Sequence, residues 1–474
     1  MELDALILSR LQFAFVIAFH IIFPSFTIGL AAFLAVCEAL WLRTKRDVFL
    51  KLYLHWVKIF AVAFAMGVVS GIVMSYQFGT NWSVFADKTG DVLGPLLGYE
   101  VLTAFFLEAT FLGVMLFGWK RVGNRLHFTA TCAVAIGTMI SAFWILAANS
   151  WMQTPAGYAL DENNRFYATN WLEVIFNPSF PARYVHMMLA AFITTAAVIL
   201  AAGAGQTLRG QSQAPTRYQM RMAAGTLALL MPLQIWAGHW SGEIVHHYQP
   251  AKLAAMEGWW ETKDSQPTIL FALPDQDGER NIAEIGIPGL GNVVVGGERP
   301  LKGLDAFPKS ERPPVFITFW SFRVMVGAGL ILLTLGWWGL YLWKNNKIDT
   351  PGLYHWAAVP SGALGFIAVV TGWMVAEVGR QPYTVYGVLR TADSVSPVPA
   401  AAVATSLLLF MTVYAIIFTA GIIYMIRIAL RGFDETPATP PSRPSGQSRA
   451  PGTALGIVDD PAEKTGDVLI TPAT

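Results

Sequence analysis

Charged side chains are scarce in this chain of 474 residues. Asp, Glu, Lys and Arg together make up 13% of it, while hydrophobic residues make up 54%. Soluble domains carry roughly a quarter charged residues, which they need to cover their surface. The net charge is +1, so the composition does not indicate a nucleic-acid partner. It predicts a protein that is built into a lipid membrane.

Cysteine is also scarce, since only Cys37 and Cys132 occur and both lie inside apolar runs. They form no CxxC or CxxCH motif, so disulfides, zinc sites and covalently attached c-type haem are not expected. The first residues, MELDALILSR, include no basic segment and no obvious small-residue cleavage site. We therefore interpret the first apolar run as a retained helix rather than a signal peptide.

Long apolar runs are abundant. A membrane-spanning helix needs about 20 mostly apolar residues, and nine runs qualify: 12–42, 54–79, 95–118, 127–150, 184–206, 221–240, 316–343, 355–378 and 400–430. They are continuously apolar rather than alternating, which argues against a β-barrel. The sequence therefore predicts an all-α, polytopic membrane protein with nine transmembrane helices.

Basic residues in the short connections predict the orientation, because they favour the cytoplasmic side. They follow the first, third, fifth, seventh and ninth runs, as at Arg43, Lys120, Arg209, Lys344 and Arg427. The N-terminus is then outside and the C-terminus in the cytoplasm. Helices one to six occupy 1–240, a long outer loop 241–315, helices seven to nine 316–432, and a disordered cytoplasmic tail 433–474.

Ionisable residues inside spans are costly and mark functional sites by default. His20 in the first span is either a metal ligand or a buried histidine that a neighbour satisfies. Glu100 and Glu108 in the third span suit proton handling or ligation, or a hydrogen bond between helices. Ser141 in the fourth span is either a relay hydroxyl or a small packing residue.

Five further candidates lie near span ends, and each has an ordinary structural interpretation. His186 near an interface costs little, Met325 is of a type that usually packs, and Glu377 with Arg380 resembles an exposed i,i+3 ion pair. The predicted orientation nevertheless places one group in the outer halves of their spans: His20, Glu100, His186, Arg323, Met325 and Glu377. A His/Met pair with buried carboxylates suits haem. Glu108 lies deeper, toward the cytoplasm.

Six motifs carry a family resemblance: RLQFAFVIAFHIIFP, YEVLTAFFLEATFLGV, WILAANSWMQTPAGY, RYVHM, FWSFRVMVG and GWMVAEVGRQPY. In order and spacing, nearly all of residues 1–432 resembles subunit I of cytochrome bd-type quinol oxidases. The resemblance implies a low-spin haem b, a high-spin haem b, and a haem d or further haem b. No copper site is expected, since spans six to eight lack the necessary histidine pairs.

The resemblance also implies residue roles. His186 and Met325 would be axial ligands of the low-spin haem, and His20 and Glu377 would serve the high-spin pair, in an order that the sequence leaves open. Glu100 would lie beside the oxygen-reducing iron. The remaining roles are haem neighbours at Arg323, Trp373 and Arg380, and a proton path through Glu108 and Ser141.

The outer loop 241–315 matches the quinol-binding loop of that family, and Lys252 and Glu257 match its quinol-linked pair. Without the resemblance, both would be interpreted as solvated loop charges. The loop is short for the family, as in cyanide-insensitive oxidases. Tyr383 stands where GRQPW is usual, and a modest effect on packing is expected.

The expected activity is that of a quinol:oxygen oxidoreductase in the bacterial cytoplasmic membrane. It would oxidise quinol near the outer face, reduce O2 to water with cytoplasmic protons, and build a proton motive force without a pump. The implied partners are a second polytopic subunit and a small single-span one. A proton-coupled transporter and a haem-binding scaffold without turnover are the alternatives; the broken, repeated helices of many transporters are not apparent.

Overall fold

The structure is a computed structural model and describes residues 4–296, 300–433 and 438. Nearly all of the tail predicted at 433–474 therefore lies outside the described residues. Fourteen α-helices make up most of the described chain: Ala5–Thr44 (α1), Asp47–Thr80 (α2), Ser83–Glu100 (α3), Phe106–Phe117 (α4), Asn124–Gln153 (α5), Trp171–Ile175 (α6), Phe180–Leu208 (α7), Ala214–Tyr248 (α8), Pro250–Glu257 (α9), Leu290–Val295 (α10), Val315–Lys344 (α11), Leu353–Ala358 (α12), Ser361–Val378 (α13) and Ala400–Ala429 (α14).

Within the described ranges, 8 helical segments are long and apolar enough to cross a membrane. They contain eight of the nine predicted runs, and α12 and α13 together form one of them. The remaining run, 221–240, lies in α8, which is 35 residues long but is not among the 8. The helical, multi-span character is thus confirmed by length and composition. The number nine and the orientation of the termini stay predictions.

The first helix, α1, is the longest, with 40 residues that span about 60 Å. It begins at a side-chain cap, where Asp4 accepts a hydrogen bond from the Leu6 amide at 2.8 Å. Gly29 lies against Thr195 of α7, and a Cβ at this position would clash with that side chain. The absent side chain lets the Thr195 hydroxyl donate to the Phe26 carbonyl at 2.8 Å. These contacts hold α1 and α7 together.

Three helices, α1, α7 and α11, make many of the contacts between helices. The first helix packs against α2, α5, α7 and α14, while α7 and α11 each pack against both α8 and α13. The largest apolar core contains side chains that are fully shielded, among them Leu30, Leu34, Trp56, Phe60 and Leu200. The four helices α7, α8, α11 and α13 therefore form a bundle, and α7, α8 and α11 contribute side chains to this core.

The connections hold three antiparallel hairpins. Their strands are Tyr158–Leu160 (β1) with Phe166–Ala168 (β2), Thr268–Asp275 (β3) with Arg280–Ile287 (β4), and Tyr383–Val385 (β5) with Leu389–Arg390 (β6). The predicted outer loop is thus structured, since it contains the end of α8, the short helix α9 and the β3–β4 hairpin. Every residue of α9 from 251 to 257 is buried, because the helix packs against α8 and α11.

Candidate functional site

A buried polar network lies where α5 and α13 end and α7 begins. Glu377 on α13 accepts hydrogen bonds at one carboxylate oxygen from Asn149 at 3.0 Å and from Gln153 at 3.3 Å. Its other oxygen pairs with Arg380. Arg183 donates to the side-chain oxygen of Asn149 at 2.5 Å. We call these five residues the Glu377 network. The Glu377–Arg380 ion pair exists but is not exposed, since its side chains are 19% and 7% accessible.

Lys252 of α9 joins this network from the outer loop. Its ammonium donates to the Gln153 side-chain oxygen at 2.6 Å, and the residue is 3% exposed. Burial, followed by the nearby guanidinium groups of Arg183 and Arg380, lowers the pKa of Lys252 well below its usual range. Three basic side chains therefore surround the one carboxylate of Glu377. This excess of positive charge suits an anionic ligand.

Glu257 at the other end of α9 faces a different partner. Its carboxylate pairs with Arg323 of α11 at 3.1 Å, and Arg323 also donates to the Met256 and Ile269 carbonyls. Burial raises the pKa of Glu257, and Arg323 opposes that shift. Lys252 lies five residues earlier, about 140° around the helix. The interpretation of Lys252 and Glu257 as solvated loop charges is wrong, because both are buried.

His186 lies on the second turn of α7 and faces α8. The Gln234 side-chain amide lies 3.2 Å from its Nε2. Its Nδ1 is buried and has no hydrogen-bond partner within the described chain. Gly238, one turn beyond Gln234, also faces the ring, and a Cβ there would lie 3.4 Å from Cε1 of His186. The ring thus stands among small and polar groups of α8 with one nitrogen available.

Met325 lies near the start of α11 and faces α13. A Cβ at Gly372 would lie 2.8 Å from the Met325 sulfur, so a side chain at this position would press on it. Trp373 follows at once, and its indole nitrogen is buried without a partner in the described residues. Since α7 and α11 both pack against α8 and α13, His186 and Met325 belong to the same four-helix bundle.

His20 lies apart from the Glu377 network, between α1 and α2. Its Nδ1 is 3.0 Å from the Ser70 hydroxyl, which itself donates to the Gly67 carbonyl at 2.9 Å. The hydroxyl hydrogen is therefore used, so Ser70 accepts from Nδ1–H of His20. That tautomer leaves the Nε2 lone pair available to a metal. Gly71 faces the same ring, where a Cβ would lie 3.2 Å from Cε1.

Glu100 and Glu108 both face α5. The Ser141 hydroxyl donates to Glu100 at 2.7 Å, and a Cβ at Gly137, one turn away, would lie 2.7 Å from Cγ of Glu108. A π-helical stretch, Val101–Phe105, separates the two acids. A π turn takes roughly one residue more than an α turn, so eight residues complete two turns and align both side chains. The two acids therefore share one face of the helix, and the π turn aligns them there.

Several polar residues of the site escaped the sequence prediction: Ser70, Asn149, Gln153, Arg183 and Gln234. Three of them stand inside quoted motifs, in WILAANSWMQTPAGY and RYVHM. The signal available was an i,i+4 pair of amides, at 149 and 153, near the end of an otherwise apolar run. Neutral amides are cheaper in a membrane than charges, so a search for ionisable residues passes over them.

Comparisons with known proteins identify the family of this chain. The family model for cytochrome bd terminal oxidase subunit I matches residues 8–433. The chain belongs to this family. The resemblance stated from the six motifs is therefore confirmed, and with it the character of a haem-bearing respiratory membrane oxidoreductase.

Individual relatives match along nearly their whole length. Cytochrome bd ubiquinol oxidase subunit 1 of Bacillus subtilis is 35% identical over 444 residues, which are 91% of this chain and 94% of the relative. Cytochrome bd-II ubiquinol oxidase subunit 1 of Escherichia coli is 32% identical, with 94% and 100% covered. The bd oxidase structure from Geobacillus thermodenitrificans superposes with a TM-score of 0.83 at 29% identity and covers 90% of this chain and 98% of that chain.

The residues present fit haem. Buried nitrogens of His186 and Trp373, and two guanidinium nitrogens of Arg380, have no protein partner in the described ranges. Leaving such groups unpaired is costly, so a bound group is expected to satisfy them. The excess of basic side chains around Glu377 suits carboxylates such as haem propionates. Imidazole, thioether and carboxylate are suitable iron ligands.

Proposed function

We propose that this chain is the haem-bearing subunit of a terminal oxidase that transfers electrons from quinol to O2. The observation that carries the proposal is the set of buried, unpartnered nitrogens of His186, Trp373 and Arg380 at one end of the bundle, in a chain of this family. When bound, haem supplies the one-electron transfer and the reduction of O2 to water. Residues of this chain bind and orient the haems and the quinol and transfer the protons.

We assign the iron ligands that the family resemblance implies. His186 and Met325 hold a low-spin haem b in the bundle of α7, α8, α11 and α13. His20 and Glu377 serve two high-spin haems, a haem b and a haem d or further haem b. The Ser70 hydroxyl orients His20, and Arg183, Lys252 and Arg380 offset the propionate charge near Glu377. No copper takes part in this proposal.

The quinol site involves Glu257 and Lys252 on opposite faces of α9. A quinol loses two protons with its two electrons, so a base must lie within hydrogen-bond reach of its hydroxyl. Burial raises the pKa of Glu257, which makes it a stronger proton acceptor than an exposed glutamate. Arg323 holds this carboxylate at 3.1 Å and stands two residues before Met325. Arg323 therefore links Glu257, the proposed base, to α11, the helix that carries Met325.

Protons for water formation pass through Glu108 toward Glu100. Glu108 is 7% exposed and its Oε1 is buried without a partner in the described chain, so it can exchange a proton with a water. Ser141 donates to Glu100 at 2.7 Å and holds that acid in place. A short path of this kind admits protons one at a time while the oxygen site stays dry.

The membrane arrangement follows from the same assignment. We propose that α8 also crosses the membrane, as the sixth of nine spans, with the N-terminus outside and the C-terminus in the cytoplasm of a bacterial inner-membrane protein. The region 241–315 then forms the outer quinol loop between helices of 1–240 and 316–432. Quinol protons leave outside while oxygen takes protons from inside, so charge separation needs no pump. A second polytopic subunit and a small single-span one complete the enzyme.

A reduced-minus-oxidised absorption spectrum tests the proposal, together with O2 uptake by the purified enzyme given ubiquinol or menaquinol. We expect b-type bands and quinol-dependent uptake. A far-red band would identify haem d, and its absence would mean haem b only. A protein without haem bands contradicts the proposal. Haem without quinol-dependent uptake, with the partner subunit present, would identify a scaffold instead.

A further inference from the structure

Gln153 stands between the outer loop and the end of α13. Its side-chain oxygen accepts hydrogen bonds from Lys252 at 2.6 Å and from Gln249 at 3.2 Å. Its side-chain nitrogen donates to the Glu377 carboxylate at 3.3 Å and to the Ala376 carbonyl at 3.2 Å. All four polar positions of this amide are therefore in use, two toward the loop and two toward α13.

The backbone of α13 reinforces the same link. Gly379 follows Glu377 by two residues, and a Cβ at this position would lie 2.8 Å from Cγ of Lys252 and 3.1 Å from Cδ. The lysine stem therefore lies directly on the chain just after α13. Gln153 itself is 3% exposed, so water does not compete strongly for its hydrogen bonds. A shift of α9 would therefore displace Gln153, which donates a hydrogen bond to the Glu377 carboxylate.

We propose that Gln153 is a positioning residue that couples the quinol-loop helix α9 to the Glu377 carboxylate. The inference rests on the proposed function, in which Lys252 belongs to the quinol site and Glu377 serves a high-spin haem. Through one amide, the place of Lys252 fixes how strongly Glu377 is hydrogen-bonded. Outer partners of a metal ligand tune its electron donation, and so the potential of the metal.

The sign of the effect follows from the donor. The Gln153 nitrogen withdraws electron density from the Glu377 carboxylate, which weakens this oxygen as an electron donor. Removing the amide strengthens the donor and stabilises the oxidised iron. The midpoint potential of the high-spin haem that Glu377 serves therefore falls. An effect on potential separates this role from simple packing, which alters stability without a directed spectroscopic change.

The test substitution is Gln153→Met, which keeps the length of the side chain and removes its hydrogen bonds. Its matched control is Gln206→Met at the opposite end of the bundle. Gln206 is also buried and makes four hydrogen bonds, to Thr216, Gln219 and the carbonyls of Ala429 and Arg431. Both variants lose a comparable buried network. Only the first is expected to change the haem.

The measurements are a redox titration of the purified enzyme, followed by absorption and EPR, and the quinol KM and kcat. Gln153→Met is expected to lower one high-spin midpoint potential and to raise the quinol KM roughly tenfold, because Lys252 is no longer held. Lys252→Met is expected to lower the same potential for two reasons, since a positive charge near Glu377 is lost and Gln153 loses its anchor. The second contribution is absent once Gln153 is replaced, so the double variant should show a shift smaller than the sum of the two single shifts.

Equal potentials and an equal quinol KM in Gln153→Met and the unsubstituted enzyme would overturn the coupling. Strictly additive shifts in the double variant would overturn it too, since they would mean that Lys252 and Gln153 act separately. If Gln153→Met does not assemble, an unchanged potential in Lys252→Met has the same consequence. A missing haem spectrum in the unsubstituted protein would instead remove the proposed function, and this inference with it.

Discussion

Two buried histidines at opposite ends of the helical fold, on α5 and α7, have opposite surroundings. His127, near the start of α5, is fully buried and both of its nitrogens are bonded, to Glu38 at 2.7 Å and to the Met115 carbonyl at 3.1 Å. Trp119 stacks on its ring at 4.0 Å. His186, near the start of α7, has one nitrogen without a partner in the described chain. The described protein therefore satisfies both nitrogens of His127 but leaves Nδ1 of His186 unbonded.

Under the proposed function, the difference separates a structural polar group from one that a bound ligand would satisfy. Buried polar atoms are almost always paired, so an unpaired one needs an explanation. The Glu38 carboxylate is bonded at both oxygens, since Thr131 donates to its second oxygen at 2.6 Å. That pair therefore fixes how α1 and α5 pack. Around His186, Trp373 and Arg380 the protein leaves nitrogens for a bound group to satisfy.

The largest expected effect comes from substitution of His186. His186→Ala should remove the low-spin haem bands completely while most of the high-spin signal remains, because only the low-spin iron loses its ligand. An absorption spectrum of the purified variant measures this. His127→Ala is the matched control and should keep all bands in whatever fraction folds. Intact low-spin bands in His186→Ala would disprove the ligand assignment.

Substitution of Glu38, the partner of His127, should instead lower the stability of the fold. Glu38→Ala leaves the His127 ring and the Thr131 hydroxyl buried without their carboxylate partner, and an unsatisfied buried polar group costs about 1–3 kcal/mol. Thermal unfolding of the detergent-solubilised enzyme measures the loss. Replacing both residues, as Glu38→Leu with His127→Leu, should cost far less, since both partners of the hydrogen bond are then apolar. A haem spectrum that changes with Glu38→Ala in the folded protein would show that the two ends are not distinct.

Sequence patterns predicted most of the helices and singled out the ionisable residues inside them. The apolar runs gave the helices because length and hydropathy alone decide whether a segment can span. Charged and imidazole side chains were found because they are rare in spans. The π turn between Glu100 and Glu108 was not predictable, since it depends on how the helix packs on α5. Gln153 was missed because its importance lies in four partners that are distant in sequence or in another element.

Glu257 determines how the rate of quinol oxidation is expected to depend on pH. Glu257→Ala should slow quinol oxidation roughly 100-fold, as expected for loss of a general base, while O2 uptake with an artificial reductant stays near normal. A raised pKa means that Glu257 is protonated, and inactive as a base, up to a higher pH than an exposed glutamate. Quinol oxidation should therefore fall as pH decreases through this raised pKa, and the variant should lose that limb.

A pH–rate profile with both electron donors measures these expectations. Glu261→Ala is a suitable control, because Glu261 lies four residues along the same connection and its exposed carboxylate pairs with Lys263 at the surface. It should leave both rates and the profile unchanged. Loss of the artificial-reductant activity in Glu257→Ala would mean that the residue acts at the oxygen site rather than in the loop.

The smallest effect is expected between the two ends, at Ser141. Ser141→Ala removes the 2.7 Å hydrogen bond to Glu100 but no charge, so the acid stays and is only less well held. O2 reduction should slow roughly tenfold, which corresponds to about 1.4 kcal/mol in the barrier. Thr138→Val is the matched control, because the Thr138 hydroxyl bonds only within its own helix, to the Ala135 carbonyl at 2.8 Å. Equal rates in both variants and the unsubstituted enzyme would place Ser141 with the satisfied, structural groups of the His127 end rather than with the proton path.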